Sequence, residues 1–372
     1  VLLLAERRPQ HEPQEEEEQH QDAARGAGPG DVVDAVYSVR RDDGDDRGQR
    51  AEGAHAVPST PRVGLSTHPS VIKSSLYVPR WVEHEPAEIL DACVCCIEEA
   101  LKNASAKNSD VRAIGVTNQR ETTILFDKRT GEARCRAISW NCARTAHIAE
   151  RYKKKKWIRR KTGLPVASYF SATKLVWLFE ARPELRDDPD VVFGTVDTFL
   201  IWHLTNGKRH VTDSTNAART LLCDVSTLRW DDALLSCFNV PKRMLPEIEP
   251  SIGGDFGVVH SETAEPSSSS RFRFSALSNV PIACVLGDQH AASVGQCCFR
   301  VGDVKATLGT GVFVLLNTGE RPVFAPEELG LLTTPLYHVK HKKPIYALEG
   351  AVAVAGSGIQ WLRDNLELGE SA

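Results

Sequence analysis

The sequence predicts an α/β protein of two domains. Three observations predict it. Short apolar runs rich in β-branched residues, VRAIGVTN and VPIACVL among them, read as buried strands. Between them lie longer stretches with apolar residues at helical spacing, PAEILDACVCCIEEALKNA being the plainest. The chain has 372 residues, enough for two domains of ordinary size.

Apolar residues make up 41% and charged residues 25%, the balance of a soluble globular protein. The net charge of −4 gives no reason to expect a nucleic-acid or membrane partner. No apolar run of about 18 residues occurs, so no transmembrane helix is expected. The opening VLLLAERRP is too short, and too soon charged, for a secretory signal. Because the chain opens on Val, its natural start is expected upstream. The ten cysteines sit mostly in apolar stretches, as reduced core cysteines do, and the adjacent pairs do not fit zinc-ligand spacing. A reducing, cytoplasmic setting without a metal site is expected.

Residues 1–62 read as a disordered or non-native segment, since QEEEEQHQ and RRDDGDDRGQR offer too little apolar surface to offset chain entropy. A first domain is expected over 63–278 and a second over 279–372. PAEILDACVCCIEEALKNA is a helix, and VRAIGVTN, TTILFDKRTGE and RCRAISW are strands. CARTAHIAERYKKK is a helix whose lysine run is a solvated end suited to the dipole. SATKLVWLFEARPEL is a helix capped from Ser171. VVFGTVDTFLIWHLTNG is a strand and a short helix beginning near Asp197. The Ser-rich SETAEPSSSSRFRFSALSN is a loop and the best internal boundary. VPIACVLGDQHAASVGQ reads as strand then helix, DVKATLGTGVFVLLNTGE as a hairpin, and YALEGAVAVAGSGIQWLRDNL as one buried helix.

Four features could carry chemistry. Asn118-Gln119-Arg120-Glu121-Thr122, between two apolar strands, is either a polyol-binding edge or a turn held by a salt bridge. Asp288 follows a buried strand in Gly287-Asp288-Gln289, where α/β sheets place catalytic groups, but a plain helix cap fits it as well. Gly309-Thr310-Gly311 could turn backbone N–H groups toward a phosphate, although a hairpin needs glycine anyway. Trp140, Tyr169 and Phe313 lie beside these motifs, as ligand wall or as core. No GxxxxGK[ST], GxSxG or HExxH occurs.

Taken together, AIGVTNQRETTILFDKRTG, AISWNCART, YFSATKLVWLFE, VTDSTNAARTLL, GDQHAASVGQ, LGTGVFVLLNTGE and YALEGAVAVAGSGIQWLRD resemble the glycerol kinase branch of the FGGY carbohydrate kinases, in that family's order. The resemblance covers about three quarters of the chain, and the TNQRETT block with VTDSTNAART downstream is its most specific part. It implies a ribonuclease-H-like, actin-hexokinase-like ATPase fold: an N-terminal FGGY domain plus the start of the C-terminal one. The implied reaction is ATP-dependent phosphorylation of glycerol to glycerol 3-phosphate with Mg²⁺. By the same resemblance, Arg120, Glu121, Trp140, Tyr169, Asp288, Gln289 and Phe313 bind glycerol, with Asp288 as general base. Thr310, Gly356 and Gln360 match positions that contact ATP. A homo-oligomer is compatible with the chain, whose sequence sets no oligomeric state.

Three departures qualify this. The family's D-x-G-T-T-S-like phosphate hairpin does not occur before Arg120, and the sheet edge it would form is expected to be broken. The remainder of the C-terminal domain would follow Trp361, yet the sequence ends at Ala372. The Ser-rich loop stands where some relatives sense fructose 1,6-bisphosphate, so that regulation is not expected. These departures imply a kinase given in part and inactive alone. The alternative is a catalytically silent paralogue that binds ligand or partner. Another FGGY sugar kinase is disfavoured by NQRET and Trp140.

Overall fold

The computed structural model describes residues 2–5, 81–260, 274–309, 311–352 and 354–366. Most of the 1–62 segment, most of the Ser-rich loop and Thr310 lie outside the described residues. In chain order the strands are β1 (Leu2–Ala5), β2 (Glu83–His84), β3 (Val111–Asn118), β4 (Ile124–Asp127), β5 (Ala137–Ile138), β6 (Val191–Gly194), β7 (Val211–Asp213), β8 (Cys223–Asp224), β9 (Arg229–Trp230), β10 (Glu247–Glu249), β11 (Ile282–Gly287), β12 (Val304–Leu308), β13 (Val312–Gly319), β14 (Leu332–Tyr337) and β15 (Ile345–Val352). One sheet runs β1-β3-β11 and another β12-β13-β15-β14, while the other strands pair in twos.

The β3–β11 pair positions the site. The two strands are parallel, with Gly287 beside Asn118 at their carboxyl ends. Residues leaving those ends begin as neighbours, which is where open α/β sheets hold ligands. The short connection from β3 to β4 turns tightly beyond this point, with the Thr122 N–H donating to the Arg120 carbonyl, and β4 then pairs antiparallel with β6, Ile124 opposite Gly194. The other edge of β3, expected to be broken, is paired antiparallel by β1, with Leu2 opposite Gly115. The chain's own opening residues thus satisfy that edge's hydrogen bonds.

The helix Pro86–Ala104 starts on a proline, whose fixed φ suits a first turn, and ends on left-handed Ser105. It buries Ile89, Leu90 and Ile97 against Val116, Phe199 and their neighbours. Burying each such side chain is worth about 1.5–3 kcal/mol. Cys93 and Cys96 on this helix have C-x-x-C spacing, a pattern easily overlooked, but both are free thiols, and burial pushes Cys93 up to about 11. A second core surrounds the helix Ser171–Ala181, and a smaller one lies between β11 and the β14–β15 pair.

Three expectations from the sequence need correction. Only Ala137–Ile138 of RCRAISW is a strand. The lysine run is a solvated helix end, as read: the first helix covers Ala146–Tyr152 and Lys153–Lys156 are exposed, while a second helix, Lys156–Thr162, stops at left-handed Gly163. A Cβ at Gly163 would come within 2.4 Å of the Thr333 carbonyl oxygen, so close backbone approach requires glycine there. Ser171 does not cap its helix; Phe170 holds the cap position, and the Ser171 hydroxyl donates to the Glu121 carbonyl at 3.0 Å. The stretch read as one buried helix from Tyr346 is strand β15 followed by a separate helix, Gly356–Leu366, with Trp361 54% exposed. Runs of Ala, Gly and Val carry little periodic signal, and cross-strand pairing with β13 and β14 decides the outcome.

Candidate active site

The turn after β3 is strained. Glu121 is buried with a left-handed φ of 61°, and the Thr122 N–H donates back to the Arg120 carbonyl at 2.7 Å. A non-glycine residue in that region costs of order 1–3 kcal/mol and persists only where its surroundings hold it. Here the Glu121 carbonyl accepts from the hydroxyls of Thr123 and Ser171 at 3.1 and 3.0 Å. Its carboxylate accepts from Arg219 Nε at 2.6 Å.

Glu349, on β15, is fully buried and clasped by two arginines. Arg120 reaches it at 2.7 and 3.3 Å, and Arg219 at 3.2 and 3.1 Å. The Arg120 Nε lies 3.2 Å from Asp288 Oδ1. Burial alone would raise the Glu349 carboxyl, but Arg120 and Arg219 outweigh it and hold it down at about 2. Burial raises Glu121 despite Arg219 and Arg120. Burial also opposes charge on Arg120, yet Glu349, Glu121 and Asp288 keep it fully protonated. Arg120 and Glu121 therefore both sit in ion pairs, but with partners from distant parts of the chain rather than with each other.

Asp288 begins the helix Asp288–Gly295 but does not cap it, since Gly287 occupies the cap position. Its Oδ1 accepts the Gln289 backbone N–H at 2.8 Å, and its Oδ2 accepts the Gln289 side-chain amide at 3.2 Å. With 43% of its side chain exposed, Asp288 is the open carboxylate among the three; Glu121 and Glu349 are at most 1% exposed. Beside it, His290 is fully buried with Nδ1 unpartnered, and burial, reinforced by Arg120, keeps the ring neutral. A Cβ at Gly287 would lie 2.6 Å from Arg120 Cδ, so glycine allows the arginine to cross the end of β11.

Aromatic rings wall the site. Trp140 meets Tyr169 edge-on at 5.6 Å and Phe313 at 6.3 Å between centroids. The Arg219 guanidinium stands 5.8 Å from the Tyr169 ring. All three residues are half-buried. Lys174, fully buried, donates to the carbonyls of Ser168 and Tyr169 at 3.0 and 2.5 Å and fixes the backbone under that ring. Behind the turn, Asp213 caps the helix Ser214–Ala217, and Thr215 accepts the Gly287 N–H at 2.9 Å.

The seven residues expected to bind the polyol are joined by a series of contacts: Arg120 to Asp288, Asp288 to Gln289, Glu121 to Arg219 near the Tyr169 ring, and Tyr169 through Trp140 to Phe313. Of the three expected on the nucleotide side, Thr310 lies outside the described residues. Gly356 donates its N–H to the Gly309 carbonyl at 3.0 Å, so the helix start abuts the glycine turn, and Gln360 is exposed one turn further on. The sequence reading missed Arg219, Glu349 and Lys305. Arg219 lies inside the VTDSTNAART block, but nothing in that block marks it for Glu349.

Parallel strands whose carboxyl ends carry the polar turn, with a second antiparallel sheet supplying Glu349, Phe313 and a glycine turn, are arranged as in the actin-hexokinase-like ATPase fold. Residues 65–295 match the N-terminal domain of the FGGY family of carbohydrate kinases, and the chain belongs to that family. It is 46% identical over 299 residues to a glycerol kinase of Francisella philomiragia, covering 78% of this chain and 57% of that protein. It is 47% identical over 295 residues to one of Mycolicibacterium gilvum, with 77% and 56% covered. The crystal structure of Plasmodium falciparum glycerol kinase with ADP superposes with a TM-score of 0.69 at 38% identity, covering 79% of this chain and 57% of that one. A gluconate kinase from Lactobacillus acidophilus, at 22% identity and TM-score 0.66, shares the fold. The chain spans a little over half the length of these relatives.

Proposed function

We propose that this chain carries the alcohol-binding site of a glycerol kinase, which phosphorylates glycerol to sn-glycerol 3-phosphate at the expense of ATP. The observation that carries the reading is the division of the three carboxylates. Glu349 is clasped by two arginines and Glu121 is paired through one oxygen, while Asp288, beside Arg120, is the one of the three that is exposed. In this reading Arg120, Glu121, Tyr169 and Gln289 hold the hydroxyls, while Trp140 and Phe313 cover the carbon edge. Asp288 accepts the proton of the terminal hydroxyl as its oxygen becomes the nucleophile. Fixed geometry and matched charge supply most of the rate in phosphoryl transfer.

Among the described residues, a Cβ at Gly309 would find only the Gly311 carbonyl oxygen, at 3.9 Å, which supports room for a phosphate beside Gly309. Gly309, Thr310, Gly311, Gly356 and Gln360 would hold ATP, which supplies the phosphoryl group. Mg²⁺ enters with ATP as part of the substrate; among the described residues no group of three His, Cys, Asp or Glu could hold a metal. The ten free cysteines support a reducing cytoplasmic setting. Among the described residues no helix is long and apolar enough to cross a membrane. The test is glycerol-dependent ADP formation by the protein containing this chain, with and without Asp288→Asn. Loss of turnover with an unchanged melting curve is expected; turnover within tenfold of wild type would overturn the role of Asp288.

A further inference from the structure

On strand β12 a lysine faces inward. Val304 and Leu308 are 57% and 80% exposed, while Lys305 between them is fully buried. A strand with one inward face ordinarily buries its apolar residues and leaves lysine in water. The buried ammonium donates to Gln289 Oε1. With that oxygen taken, the amide cannot turn over without setting two donors against each other. Its Nε2 is thereby directed at Asp288 Oδ2, 3.2 Å away. The other carboxylate oxygen is held by the Gln289 N–H at 2.8 Å and faces Arg120 Nε at 3.2 Å. Asp288 is thus gripped on both oxygens, and one grip depends on the lysine.

We propose that Lys305 is a positioning residue for this reaction: through the Gln289 amide it sets the orientation of the Asp288 carboxylate. The inference rests on the pocket being a glycerol site. Lys305→Met keeps the apolar stem and removes the donor. In a chain with ¹⁵N-labelled glutamine side chains, the Gln289 NH₂ pair is expected to exchange at least about tenfold faster in the variant, one anchoring hydrogen bond having gone. Glycerol affinity measured by calorimetry is expected to fall about tenfold. In a Gln289→Met background the same substitution is expected to change affinity less than about twofold, because the route through the amide is already cut. Unchanged amide exchange, or an equal affinity loss in both backgrounds, would overturn the proposal. Should Lys305→Met not fold, Lys305→Gln, too short for the same contact, is judged by the same two criteria. If wild-type protein binds no glycerol, the reading of the pocket falls, while amide exchange still decides what Lys305 does.

Discussion

Replacing Glu349 by glutamine removes the one negative charge that two buried arginines share. The shape is nearly kept, so the loss is electrostatic. Arg120 and Arg219 each make two contacts to this carboxylate and are at most 2% exposed, so water cannot take its place. Removing one partner of a buried ion pair costs about 3–5 kcal/mol. The drop of the Glu349 carboxyl from 4.5 to about 2 gives a similar figure, about 3 kcal/mol. At about 2–4 °C per kcal/mol for domains of this size, the melting temperature should fall by roughly 6–20 °C. The sign with pH follows from a depressed carboxyl. Its stabilisation is complete above 4.5 and is lost as pH falls through about 2. The gap between wild type and Glu349→Gln should therefore be full at pH 7 and close toward pH 2. Thermal melts followed by circular dichroism across that range are the assay. A gap below about 2 °C at pH 7, or one that widens toward acid, would refute the reasoning.

Other perturbations follow from the same geometry. Gly287→Ala should push Arg120 off the end of β11 and weaken glycerol binding at least about tenfold, one hydrogen bond to a charged group being lost, whereas Gly295→Ala, with nothing within 4 Å of its new methyl, should bind normally in the same titration. Burial lowers the Lys174 ammonium from 10.5 to about 7, so the unfolded chain binds the extra proton between those values and stability should rise with pH across that window. Urea melts of Lys174→Met should lack that rise. Arg219→Met leaves both Glu121 and Glu349 short of a partner, and should lower the urea midpoint more than Asp288→Asn does, since Asp288 is open to water.

The fold was legible where elements speak for themselves. The helix Pro86–Ala104 carries its own apolar stripe and proline start, and β3 and β11 are continuous apolar runs. The residues proposed for the polyol side were singled out through resemblance, because they sit in compact motifs. What could not be read was pairing at long range. Glu349 looks like a lone polar residue in an Ala- and Gly-rich stretch, and its partners lie 130 and 229 residues earlier. Only the strand partners of β15 turn that residue inward, and the same partners made a strand of a stretch whose small apolar residues had suggested a buried helix. Lys305 gave no readable signal, because VKATL alternates apolar and polar residues as any half-buried strand does, and only the structure turns the lysine inward. The pairing of β1 on β3 had no local cue, because four apolar residues next to a charged stretch fit many roles.

The central claim, an alcohol pocket built on Arg120 and Asp288 beneath Trp140, is tested most directly by calorimetric titration of this chain with glycerol, xylulose and gluconate. Saturable heat is expected with glycerol alone, lost in Trp140→Ala while the fold is retained. Absence of glycerol binding, or equal binding of xylulose or gluconate, would contradict the account.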